Sequence, residues 1–171
     1  MLIECMVDKN DNSVAVFLHD NTKTTLVKGY DPPGSYRRVF NYSTPLESMI
    51  AVINQSTKCK QFTKAECFAA TITTSDSVYT WLSGRYGQKL AYWGGGPSDG
   101  KGCSCGIHNN CANRDKKCNC DSNDQEWRLD KGFITEKDIL PITAINVGDT
   151  GSTGNRKEQF KYTVGSLICF F

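Results

Sequence analysis

Nine cysteines in 171 residues constrain this chain more than any other feature. Five of them, Cys103, Cys105, Cys111, Cys118 and Cys120, crowd into residues 103–120, and the others are Cys5, Cys59, Cys67 and Cys169. The segment around the five is rich in Gly, Asn and Asp and poor in apolar residues, so it has no core of its own. Such a segment is held either by bridges between its sulfurs or by a metal. A zinc site favours thiolates in Cys-x2-Cys pairs. Here the pairs are Cys103-Ser104-Cys105 and Cys118-Asn119-Cys120, with one residue between. Side chains two apart on an extended chain point the same way and suit bridges to two different partners. The disulfide reading places the chain in an oxidising, extracellular compartment. Nine is odd, so one thiol is free or pairs outside this chain. Cys5 is the first candidate, as the cysteine nearest the start, and Cys169 the second.

Other features fit that compartment and exclude several functions. Two Asn-x-Ser sequons, at Asn41 and Asn54, mark candidate glycosylation sites. The 20 basic side chains nearly balance the 18 acidic ones, so no global charge draws the chain to nucleic acid. No apolar run reaches the length of a membrane span, so no membrane insertion by this segment is expected. The opening Met1-Leu2-Ile3-Glu4-Cys5 reads as a strand rather than a secretory signal. The whole reads as one domain, residues 1–171, and as a fragment of a larger extracellular protein.

Residues 1–40 pattern as β structure, with strands expected at Val14–Leu18 and Thr24–Val27 and a break at Asp31-Pro32-Pro33-Gly34. A helix is expected from Ser43 or Thr44 as cap, with Pro45 first and Glu47 closing a capping box. Leu46, Met49, Ile50 and Ile53 form its apolar stripe, and it ends near Ser56. Thr80-Trp81-Leu82 reads as a buried strand, Ile142 to Val147 as another and Tyr162 to Cys169 as the last. Between Gly94 and Asp124 no periodicity survives, and a loop that long in a compact domain has to be pinned.

In this order Ala91-Tyr92-Trp93-Gly94-Gly95, Cys103-Ser104-Cys105-Gly106, Cys118-Asn119-Cys120-Asp121, Gly132-Phe133, Leu140-Pro141-Ile142, Gly148-Asp149-Thr150 and Val164-Gly165-Ser166-Leu167 form one pattern. It resembles the fibrinogen-like domain of the contactin-associated, neurexin-IV-like adhesion proteins, over nearly the whole chain. The end, Val164 to Phe171, is also similar to the end of fibrillar-collagen C-propeptides. The resemblance implies an α+β fold: a twisted antiparallel sheet with flanking helices and long disulfide-pinned loops. It implies extracellular adhesion or assembly and no catalysis. Cys59–Cys67, Cys105–Cys111 and Cys103–Cys118 are the bridges expected.

Four groups of residues are candidates for chemistry or contact. Asp121, Asn123 and Asp124 place oxygen ligands close together on one loop, a candidate calcium site, with Asp130 and Asp149 as further ligands. The alternative is an acidic loop whose side chains cap turns. Among the aromatics, Trp81 and Trp127 are expected in the core, while Tyr92 and Trp93, with His108, are candidate binding residues. Tyr86 joins them as a possible pocket wall. His108 and Cys111 could pair as a nucleophilic dyad only if Cys111 were a free thiol in a cleft.

Three readings stand beside one another. The first is a non-catalytic adhesion or recognition module, presenting residues 94–124 to an extracellular protein or glycan. The second is an assembly domain that makes a homo-oligomer through the odd cysteine. The third is a calcium-dependent, lectin-like binder.

Overall fold

The C-terminal strand organises the molecule. The computed structural model describes residues 4–7 (backbone only), 13–152 and 154–171. Strands β1 (Glu4–Val7), β2 (Ser13–Phe17), β3 (Thr25–Val27), β5 (Lys58–Phe68), β8 (Trp127–Ile134) and β10 (Gln159–Phe170) form an antiparallel sheet in the order β1-β2-β10-β5-β8, with β3 also on β10. A second, four-stranded antiparallel sheet runs β4 (Tyr36–Val39), β9 (Ala144–Val147), β6 (Trp81–Ser83) and β7 (Lys89–Leu90). One longer helix, α1 (Leu46–Gln55), and a single turn of helix, α2 (Ser104–Ile107), complete the set with a 3-10 turn at Cys120–Ser122. Inward residues of both sheets and of α1 meet in one buried cluster that includes Phe17, Met49, Ile53, Leu82, Trp93, Ile145, Phe160 and Tyr162.

Period-two alternation explains why β10 holds the centre. Phe160, Tyr162 and Val164 face inward, then Leu167 and Cys169 do. The parity changes at a bulge between Val164 and Leu167, where the ladder to β5 shifts register. Buried polar groups take up the carbonyls exposed there. His19 Nε2 lies 3.0 Å from the Val164 carbonyl oxygen, and Gln61 Nε2 donates at 2.8 Å to that of Gly165. Gln61 is fully buried, and its Oε1 accepts the Ile142 N–H at 2.9 Å. A buried amide is tolerated when all its valences are used this way.

The helix falls where its stripe predicts, with Met49 and Ile53 buried and Asn54 exposed. It begins at Leu46, with Pro45 as the cap rather than the first helical residue. The bridge expected between Cys59 and Cys67 does not form. The two sit near opposite ends of the 11-residue β5, on the same face. Eight residues of extended chain span about 27 Å, whereas a disulfide needs α-carbons within about 7 Å. Cys59 instead pairs with Cys169 directly across the β5–β10 ladder, and Cys67 with Cys120. Cys169 is therefore not the odd thiol. The other bridges are Cys103–Cys118 and Cys105–Cys111. With eight cysteines so committed, this chain holds no cysteine to pair with Cys5.

Two tryptophans also depart from expectation. Trp127 is 47% exposed, on the outward face of β8, with its ring 5.7 Å from that of Phe68. Trp81 is half-buried, with Lys89 Nζ 3.8 Å from its ring centroid. In both cases the apolar ring is covered by the stem and charge of a lysine rather than by core.

Candidate functional site

Residues 94–124 are built onto the edge of the larger sheet by backbone contact, disulfides and buried carboxylates, in place of an apolar core. The segment leaves β7 through the buried Tyr92 and Trp93, whose backbone pairs with Gly102. It then passes so close to β8 that a β-carbon on Gly132 would strike the Gly94 carbonyl. Gly94 N–H donates to Thr63 Oγ1 at 2.9 Å and Gly95 N–H to the Phe133 carbonyl at 3.0 Å. Beyond that point Cys103–Cys118 and Cys105–Cys111 staple the loop to itself, and Cys67–Cys120 ties it to β5.

Aspartates do the rest. Asp130, inward on β8, accepts the N–H groups of Asn119 at 3.0 Å and Cys120 at 2.9 Å. Its burial raises its pKa above the ordinary carboxylate value, against those hydrogen bonds, which lower it. Asp121 is buried and accepts four hydrogen bonds. Oδ1 takes Thr71 Oγ1–H, Ile72 N–H and Thr73 N–H, each at 2.9 Å, and Oδ2 takes Thr73 Oγ1–H at 2.7 Å. Asp149 accepts the Thr71 N–H at 2.7 Å and lies in a trio with Asp31 and Glu158, whose carboxylate oxygens approach within 4.8 Å. Burial raises the pKa of Asp149 and of Glu158, and Arg156, 2.9 Å from Glu158, offsets part of this.

Asp121, Asn123 and Asp124, the candidate calcium ligands, are each engaged with protein partners. A calcium ligand needs free oxygen lone pairs turned toward a common centre. The Asp121 oxygens are filled by protein donors. Asn123 is a turn residue with φ of 51°, its side-chain oxygen taken by Arg156. Asp124 is held in an ion pair with Arg128 at 2.5 Å, which keeps its carboxyl below the usual range. The three face three different partners, as in the alternative reading of an acidic loop that caps turns.

Of the candidate binding residues, Tyr92 and Trp93 are 3% and 0% exposed. They belong to the buried core, where the Trp93 ring lies 5.9 Å from that of Phe160. Tyr92 still reaches a polar partner, donating to Glu136 Oε2 at 3.2 Å. His108 is exposed at the end of α2, its Nδ1 2.8 Å from the Ser104 carbonyl oxygen. The sulfur of Cys111 is bonded to Cys105, so the His108–Cys111 dyad has no thiol. Asn41 and Asn54 are both exposed, and the Asn41 amide donates to Asp20 at 2.8 Å. Tyr86 is 69% exposed.

The feature of this layer that the sequence did not single out is a cleft of about 310 Å³. It is lined by Thr73, Thr74 and Ser75, by Lys101, Asp115, Lys116 and Lys117, and by Asp121. The Asp121 oxygens are occupied, and the hydroxyls of Thr73, Thr74 and Ser75 are bonded to Asp121, Ser77 and Asp76, so the charged groups of the cleft are three lysines against Asp115. The run Thr71-Ile72-Thr73-Thr74-Ser75 was the available signal, since it places hydroxyls densely beside a turn.

No helix among the described residues is long and apolar enough to cross a membrane. No family model matches the chain. Neurexin-4 of Drosophila melanogaster is 32% identical to it over 173 residues, 98% of this chain and 13% of that protein. Contactin-associated protein 1 of Mus musculus is 30% identical over 162 residues, 93% of this chain and 12% of that protein. The chain thus spans about one-eighth of the length of these curated relatives. Its cysteine-stapled loop layer and this similarity place it outside the cell, as an extracellular segment related over nearly its whole length to the contactin-associated and neurexin-IV-like proteins.

Proposed function

We propose that the chain is a single, fibrinogen-like, non-catalytic recognition domain of a larger adhesion protein, and that its stapled loop layer carries the contact. The cleft between Thr73–Ser75 and Lys101–Lys117 is the observation that supports this most. It is a cationic, hydroxyl-lined recess on a loop fixed by three bridges. A loop ordered before binding gives up little entropy when a partner arrives. Charged groups around a recess set partner choice and association rate. The relatives support adhesion as the setting, and the name of the mouse relative associates that protein with contactin. An extracellular protein with an acidic surface is therefore the partner class for this layer, and Asn41 and Asn54 are its proposed glycosylation sites.

The test is surface plasmon resonance of the oxidised domain against immobilised contactin ectodomain. The triple variant Lys101→Glu, Lys116→Glu, Lys117→Glu is expected to bind at least tenfold more weakly, chiefly through slower association. Equal binding by the variant removes the cleft from the contact. No binding by either protein removes contactin as the partner.

Assembly is a second reading, favoured by one observation: all other cysteines are paired within the chain, which leaves Cys5 for a partner elsewhere.

A further inference from the structure

The outward face of the larger sheet is a second surface, separate from the cleft. Along β5 the outward positions are Lys58, Lys60, Phe62, Lys64, Glu66 and Phe68. The ladders set Phe62 opposite Phe133, Lys64 opposite Lys131, Phe68 opposite Trp127, and Glu66 between Leu129 and Lys161. The face is open to solvent: Phe133 and Leu129 are each 41% exposed. The outward positions of β5, β8 and β10 carry five lysines against one glutamate. The whole chain has a net charge of only +2, so the rest of the molecule is net negative. This face therefore carries a local excess of four positive charges, more than the net charge of the whole chain.

Its chemistry is mixed in a particular way. Lysines lie over the rings, Lys60 Nζ at 4.7 Å from the Phe133 centroid and Lys161 Nζ at 4.3 Å from that of Trp127. Lys64 and Lys131 stand directly opposite each other, a like-charge pair that weakens a sheet. Glu66, 2.9 Å from Lys64 Nζ, offsets part of that repulsion, and a polyanion lying across both strands would offset the rest. The face is flat, so it suits a ligand that binds by repeated contacts along its length. Strand addition by an acidic peptide is blocked at β8. There Gly95 N–H already occupies the Phe133 carbonyl, and Asn119 Nδ2 donates to that of Leu129.

We infer that this face docks a sulfated linear polysaccharide, with sulfate and carboxylate groups on the lysines and the C–H faces of the sugar rings on Phe62, Phe133 and Trp127. A heparin decasaccharide is the probe, its affinity for the whole domain measured by calorimetry across a range of salt. The variant Lys60→Gln, Lys64→Gln, Lys131→Gln removes the charges while retaining the first two methylenes of each stem, and should melt within a few degrees of the parent. It is expected to lose at least tenfold in affinity and to flatten the plot of log affinity against log salt by about two. The cleft variant Lys101→Gln, Lys116→Gln, Lys117→Gln should bind within twofold of the parent. Undiminished heparin binding by the sheet variant overturns the inference, as does an equal loss in the cleft variant. Tighter binding to vesicles containing phosphatidylserine than to heparin would replace the polysaccharide with a membrane. None of these outcomes bears on contactin binding through the cleft.

Discussion

Asp121 shows how one side chain can look like a ligand in sequence and serve as a clamp in structure. Its loop is acidic and rich in oxygen, and nothing local reveals the four donors that arrive from residues 71–73, some 50 positions away. Asp121→Ala should leave those donors unpaired in a buried site and cost at least about 3 kcal/mol in urea unfolding. Asp121→Asn keeps Oδ1 for three of them and offers an N–H to the rotatable Thr73 hydroxyl, so its cost should be clearly smaller. Excess chelator should leave the melting temperature of the parent unchanged; a fall of several degrees would restore calcium as the clamp. His19 gives a second residue-scale test. It is buried, its Nδ1 accepts the Asn21 N–H at 3.2 Å, and burial holds its pKa below the ordinary 6.5. As pH falls below 6.5 the unfolded chain takes up this proton first, so the fold loses stability down to the folded-state pKa and none above 6.5. Asp130, Asp149 and Glu158, with raised values, act oppositely, since the fold gains stability as pH falls toward the ordinary carboxylate range. His19 is therefore read by difference. The stability gap between the parent and His19→Asn should be constant from pH 8 to 7 and narrow below 6.5; a gap that stays constant to pH 5 rejects this account.

At the scale of elements, what could be read in the sequence depended on whether the burial pattern matched residue polarity. α1 was legible because Met49 and Ile53 are both apolar and buried. β2 and β10 were legible for the same reason. The longest inner strand after β10 was not. β5 buries Gln61 and Thr63 and turns Phe62 and Phe68 outward, so its alternation inverts the usual polarity and gives no strand signal. Gln61 became an acceptable core residue only because the bulge in β10, a long-range feature, supplies its partners. Docking of the loop layer depends on another element-level contact, the approach of Gly94 to Gly132. Gly132→Ala would place a methyl group against the Gly94 carbonyl, forcing the loop off β8. Faster proteolysis within residues 97–119 at unchanged sheet content is the expected result, together with a drop in melting temperature. Removing the tie to β5 with Cys67→Ser and Cys120→Ser should go further. Closing the loop across their sequence separation of 53 is worth about 4 kcal/mol by chain entropy taken alone.

On the scale of the whole molecule, the cysteine count connects fold and assembly. The sequence established that one of nine is odd, but pairing is a property of three-dimensional proximity and could not be read from spacing. In the structure the bridges divide into two jobs. Cys59–Cys169 locks the central strands of the sheet to each other, and the remaining three fasten the loop layer. Each is intramolecular, so covalent assembly can pass only through Cys5. The oxidised protein, unfolded in denaturant without reductant and treated with iodoacetamide, is expected to gain one adduct per chain if it acts alone. If it assembles covalently, it should gain none and run at twice its mass until reduced. Full reduction should then expose nine alkylation sites in either case. A Cys5→Ser variant separates the readings further. In a recognition domain it should leave melting temperature and contactin binding as they are, because the four bridges and the cleft do not involve it. In an assembly domain it should abolish the disulfide-linked dimer, and any avidity gained from two cleft-bearing layers on one particle would be lost with it.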